Sequence, residues 1–155
     1  MRTKIFLTNV DYITDPVSEM PIIRLYGKTE HGESLVFYKE NFKPYFYLAN
    51  PSSHDRRLLG MAGATLGESV ELEHYQEKYD CVKVELREKL ISRGKTVFSA
   101  DILYQLRYLY DNDLGAFVEV EHNEHEEVLG IERCSPFEVK LDVLTFDIEC
   151  SLRTK

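Results

Sequence analysis

The sequence predicts an α+β fold, built mainly of antiparallel β-sheet with a few short helices. Three observations carry that expectation. Strand-like alternating runs outnumber helix-like ones, turn chemistry recurs between them, and the repeated strand–helix–strand pattern of a doubly wound sheet does not occur.

The elements follow in order. "KIFLTNVDYIT" alternates, with Ile5, Leu7, Asn9, Asp11 and Ile13 on one face and Phe6, Val10 and Tyr12 on the other. "DPVSEMP" is turn chemistry, and "IIRLYGKTEHGESLVFYKE" reads as a hairpin turning near His31 and Gly32. "FKPYFYLA" is a further strand. Its Pro44 has no N–H for a ladder hydrogen bond and so belongs on an edge or at a strand start. In "NPSSHDRRLLGMAGATLG", Ser52 or Ser53 is placed to cap a helix running toward Met61. "SVELEHY" and "DCVKVEL" alternate, with "QEKY" as the loop between them, and a short helix or turn is expected near "REKLISRG". "KTVFSA" is a short strand candidate.

"DILYQLRYLYDNDLG" has the strongest helical period. Ile102, Leu106, Leu109 and Tyr110 form an apolar stripe, Tyr104, Arg107 and Tyr108 stand on the other face, Ser99 or Asp101 can cap the start, and Gly115 sits where the helix would close. "AFVEVE" and "EVLGIER" read as strands flanking an acidic loop that holds His122 and His125, expected to be solvated. The last strand is "FEVKLDVLTFDIEC".

A length of 155 residues suits one domain or two small ones. No apolar run approaches a membrane span and the start lacks a signal-peptide core, so a cytoplasmic chain with no membrane partner is expected. Three widely spaced cysteines without a CxxC argue against a disulfide framework or a structural zinc site. A net charge of −8 excludes capture of nucleic acid by global charge, although "REKLISRGK" is locally basic and "EVEHNEHEE" locally acidic. There is no P-loop, GxGxxG or GxSxG motif.

The final strand ends on two carboxylates. Val143, Thr145, Asp147 and Glu149 share one face, while Leu144, Phe146, Ile148 and Cys150 share the other. Asp147 and Glu149 would stand roughly 7 Å apart at Cα on strand geometry. Two readings are open: a solvated strand end, or two hard oxygen donors for Mg²⁺ or Mn²⁺. Two such metals about 3.5–4 Å apart can clamp the attacking water and the leaving oxygen in phosphodiester cleavage. Such a site needs further acids from elsewhere.

"FDIEC" closing an apolar strand resembles the first exonuclease motif of family B DNA polymerases. The residues before it resemble the N-terminal domain of the archaeal members. "NVDYIT" followed by "PIIRLYGK" looks like their opening hairpin, "FKPYFYL" like the next strand, and "DILYQLRYL" like the helix before the exonuclease domain. The resemblance runs from about Phe6 to Glu149. It implies an N-terminal template-binding domain over residues 1–135 and the first strand of a 3′–5′ exonuclease domain over 136–155. It also implies that Asp147 and Glu149 are metal ligands of the whole enzyme. Its positions for a pocket that captures template uracil are Tyr12, Pro44, Tyr45, Ile102, Tyr104 and Arg107. The sequence departs from the pattern at "KVELREKL", which runs on without the longer apolar, Pro-containing loop that completes that pocket in uracil-sensing relatives.

The implied partners are single-stranded template DNA and the remaining exonuclease and polymerase domains. The implied parent is a DNA-directed DNA polymerase with 3′–5′ exonuclease activity, Mg²⁺ or Mn²⁺ serving the full-length enzyme and the chain alone being inactive. The alternatives are a protein-interaction or regulatory subunit, with the acidic loop Glu119 to Glu127 facing a basic partner, and a stand-alone nuclease using Asp147 and Glu149.

Overall fold

The computed structural model describes residues 1–18, 20–43, 45–85, 97–98 and 102–141. Pro44, the "REKLISRG" segment, Ser99, Asp101, Asp147, Glu149 and the terminal strand from residue 142 onward lie outside the described residues.

The architecture is α+β and mainly antiparallel, as expected. Strands β1 (Arg2–Thr14), β2 (Pro21–Lys28), β3 (Ser34–Lys39), β8 (Phe117–His122) and β9 (Val128–Arg133) form a five-stranded sheet in the order β3-β2-β1-β8-β9. Strands β4 (Tyr45–Ala49), β5 (Thr65–His74), β6 (Glu77–Glu85) and β7 (Val97–Phe98) form a four-stranded sheet in the order β5-β6-β4-β7. Helices α1 (Ser53–Met61) and α2 (Tyr104–Asp111) complete the described elements. The five-stranded sheet curls toward closure: the Tyr38 amide donates to the Glu126 carbonyl at 2.9 Å, and Lys39 Nζ donates to the Val128 carbonyl at 3.3 Å.

The simple alternation expected along β1 fails at one residue. Leu7 pairs with Gly27 and Asn9 with Tyr26, which leaves Thr8 as an extra residue. A bulge of this kind reverses the faces beyond it. Ile5 and Leu7 therefore share the core side with Val10 and Tyr12, opposite Leu25 and Ile23. Asp11 turns to the outer face, where Arg24 grips it through Nε and Nη2, both at 2.7 Å. That hydrogen bond raises the Arg24 guanidinium above its ordinary value.

The main core joins Ile5, Ile23, Leu25, Phe37, Val118, Val120 and Val128 to Tyr108 of α2. The helix differs from expectation in extent and in facing. It begins at Tyr104 with Leu103 as an N-cap that offers no side-chain bond, and it closes at Asn112, with Asp113 rather than Gly115 taking the left-handed turn at φ 49°. Its buried residues are Arg107 and Tyr108, whereas Tyr110 of the predicted apolar stripe is 67% exposed. A tyrosine buries a ring as large as phenylalanine while its hydroxyl finds a partner, so hydropathy alone misassigns the face.

A smaller core of Leu48 and Val84, with Phe46, Leu59, Ala64 and Leu66, fastens α1 to one face of the four-stranded sheet. Ser52 caps α1 reciprocally with Asp55: Oγ accepts from the Asp55 amide at 3.2 Å, and Asp55 Oδ2 accepts from the Ser52 amide at 2.9 Å. The β5–β6 hairpin turns at Tyr75–Gln76, both at positive φ, so of "QEKY" only Gln76 lies in the turn and Glu77 to Tyr79 already belong to β6. Residues 137–141 form no strand.

Candidate nucleic-acid interface

The face of the four-stranded sheet opposite α1 presents Tyr45 and Tyr47 beside Glu85 and Lys83, their cross-strand partners. Helix α2 brings Tyr104, Arg107, Tyr108 and Asp111 along one side at i, i+3, i+4 and i+7. This side of the helix lies between the two sheets.

Two clusters result. In the first, Tyr12 meets Tyr104 edge-on with ring centroids 5.5 Å apart. Tyr104 packs on Phe42 at 5.3 Å, and Phe42 packs on Tyr108 at 5.2 Å. The Tyr104 hydroxyl donates to the Phe42 carbonyl. Burial pushes the Tyr104 phenol well above its ordinary range and the Tyr108 phenol up to about 12. Tyr12 is different: it stays 47% exposed, a solvent-facing ring backed by a packed one.

In the second cluster the Tyr45 hydroxyl donates to Asp111 at 2.7 Å. Arg107 Cζ stands 4.2 Å from the Tyr45 ring centroid, and Lys83 Nζ stands at the same distance. Cations at that range are attracted by the ring quadrupole. Burial raises the Tyr45 phenol, the Asp111 bond acts in the same sense, and Arg107 opposes both. Lys83 Nζ also reaches Glu85 Oε1 at 3.2 Å, and Lys43 Nζ reaches Glu85 Oε2 at 3.9 Å.

Of the positions singled out in the sequence, the fold thus joins Tyr12 to Tyr104 and Tyr45 to Arg107, with α2 common to both pairs. Ile102 is half-buried just ahead of α2. Arg107 is only 4% exposed, so it is a buried tie between α2 and β4 and not the surface cation its position suggested. Phe42, Tyr108, Asp111, Lys43, Lys83 and Glu85 were missed. Asp111 alone left a local signal, four residues after Arg107 on a helix. His122 corrects the picture of a wholly solvated loop. It is buried at the end of β8, with Nε2 2.9 Å from the Thr3 hydroxyl and Nδ1 2.9 Å from the Asn123 carbonyl.

No protein-family model matches the chain. In an alignment that covers 70% of its length, it is 27% identical to DNA polymerase 3 of Saccharolobus shibatae. In three dimensions 87% of the chain is similar to the family B DNA polymerase of the hyperthermophilic archaeon Pyrobaculum calidifontis, with a TM-score of 0.64 and 22% identity. The fold is family B DNA polymerase-like. This polymerase-like chain spans 16% of the Saccharolobus protein and 21% of the Pyrobaculum chain. Among its described residues no helix is long and apolar enough to cross a membrane, and no group of three or more His, Cys, Asp or Glu gathers as a metal site.

Proposed function

We propose that this chain is the amino-terminal, template-handling part of a family B DNA-directed DNA polymerase and binds single-stranded DNA beside α2. The observation that carries the reading is a polymerase-like fold over 87% of the chain that accounts for only 21% of a whole polymerase. The Tyr12–Tyr104 pair supports it chemically. An exposed ring backed by a half-buried one is a stacking platform for an unpaired base, worth roughly 1–3 kcal/mol per base. A finer version makes the platform one wall of a pocket for template uracil, where a close wall would exclude the methyl group of thymine. Asp147 and Glu149 are then the first two carboxylates of the parent's exonuclease centre, where Mg²⁺ or Mn²⁺ would supply Lewis-acid chemistry. Further acids would come from the rest of the enzyme, and this chain by itself is expected to be inactive.

Fluorescence anisotropy with a labelled single strand tests the reading. Binding should be detectable at low salt and should weaken as salt rises from ~50 to ~200 mM, because phosphate contacts release counterions. An unchanged signal at the lowest salt overturns it. A uracil-containing strand should bind more tightly than its thymine equivalent, and equal affinities remove the pocket while leaving template binding in place.

A further inference from the structure

We propose that Lys43, Glu85 and Lys83 form a phosphate subsite for single-stranded DNA, in which the Glu85 carboxylate holds the place of a backbone phosphate until a strand arrives. The inference rests on the template-binding reading and names the contact that would serve it.

The geometry is that of an anion shared between two cations. Glu85 gives Oε1 to Lys83 Nζ at 3.2 Å and Oε2 to Lys43 Nζ at 3.9 Å. A phosphodiester offers two non-bridging oxygens with one negative charge and can take the carboxylate's place between the two ammonium groups once the Glu85 side chain swings aside. The exchange costs little. The Lys43 side chain is more than half exposed, that of Lys83 about a third and that of Glu85 a quarter, so solvent screens these ion pairs and leaves them weak.

The location links the subsite to both clusters. Lys83 Nζ lies 4.2 Å from the Tyr45 ring centroid. Lys43 follows Phe42, whose ring packs on Tyr104, and Tyr104 packs on the exposed Tyr12. A strand with a base on Tyr12 would reach this phosphate contact by following the Tyr104 and Phe42 rings toward Lys43. The charge balance gives Glu85 a purpose. On a chain of net charge −8, two free lysines beside aromatic rings would attract any anion, and an internal carboxylate restricts the subsite to strands that make further contacts.

The experiment compares the full chain with its Glu85→Gln variant in anisotropy titrations with labelled oligo(dT) across a salt series. Glutamine keeps the shape of glutamate, and the backbone of residue 85 stays paired with Tyr45 and Thr65. Glu71→Gln is the charge control, because Glu71 pairs with Lys78 at 2.7 Å on the exposed β5–β6 hairpin. Glu85→Gln should tighten binding about three- to tenfold at ~50 mM salt, while the log–log salt slope stays close to that of the wild type because both proteins neutralise the same phosphate. Glu71→Gln should stay close to wild type, and adding Lys43→Gln and Lys83→Gln to Glu85→Gln should remove the gain. Wild-type binding with no gain in Glu85→Gln, or an equal gain in Glu71→Gln, overturns the subsite and leaves template binding standing. Binding by Glu85→Gln alone overturns template binding by the wild-type chain and with it the exchange at Glu85. No binding by either protein overturns both proposals.

Discussion

Gly27 shows how one absent side chain shapes the main core. A Cβ there would lie 2.6 Å from Ile5 Cδ1 and 2.8 Å from Ile5 Cβ, and Ile5 is fully buried. The branch point of Ile5 cannot swing away, so Gly27→Ala should cost about 1–3 kcal/mol through overpacking. Urea denaturation should show a lower midpoint, and the losses of Gly27→Ala and Ile5→Ala should be less than additive in the double variant because the two sites share one volume. Tyr108 gives a second prediction at this scale. Its phenol is pushed by burial from 10.0 to about 12. Below pH 10 the folded and unfolded states both keep the proton. Between pH 10 and about 12 the unfolded chain releases it first, so stability falls, by at most about 1.4 kcal/mol per pH unit for this group. Stability measured from pH 9 to ~11 should decline in the wild type and decline less in Tyr108→Phe. Tyr104, also raised by burial, sustains the remaining slope.

Among the elements, α1 is the most local in its logic. The Ser52–Asp55 capping box satisfies two backbone donors, and Ser52→Ala should cost about 1 kcal/mol. Gly60 lies within the helix, and nothing stands within 4 Å of a Cβ built there. Gly60→Ala should therefore add about 0.5–1 kcal/mol, read as a higher melting temperature. Elements of this kind were legible in the sequence, because cap and turn chemistry act over three or four residues. The hairpin turn at Gly32, with φ 83°, belongs to the same class. Helix α2 was legible in existence and not in orientation. Its inner side carries Tyr104, Arg107 and Tyr108, which hydropathy counts as polar, and only the Tyr12, Phe42 and Tyr45 rings opposite make that side the inner one. The bulge at Thr8 was equally hidden, since one surplus residue in a strand leaves no compositional mark.

At the scale of the whole molecule, the tie between the two sheets is polar and aromatic. Arg107 and Asp111 on α2 both engage Tyr45 on β4, while Tyr108 of the same helix sits in the core of the five-stranded sheet. A desolvated cation–π contact is worth about 2 kcal/mol. Arg107→Ala should lower global stability by about that amount, and proteolysis or hydrogen exchange should show β4 loosening relative to β2. Tyr12→Ala loses one edge-on ring contact at a half-exposed site, so it should lower stability by about 0.5–1.5 kcal/mol, less than Arg107→Ala, and weaken binding of single-stranded DNA by about 1–3 kcal/mol. The contrast between these two variants separates the residue that holds the site together from the one that would touch the ligand.

By itself the sequence determined the fold class, the hairpins, the cap of α1 and the presence of α2, because each depends on period and turn chemistry along a short stretch of chain. It also singled out Tyr12, Tyr45, Tyr104 and Arg107 by resemblance. Tertiary structure decided which of them meet, that Arg107 is buried, and that Lys43 and Lys83 share Glu85 beside Tyr45. Those outcomes depend on a one-residue bulge and on a helix packed between two sheets. Contacts between residues about 20 to 90 positions apart arise only when the chain closes on itself, and no local pattern encodes them.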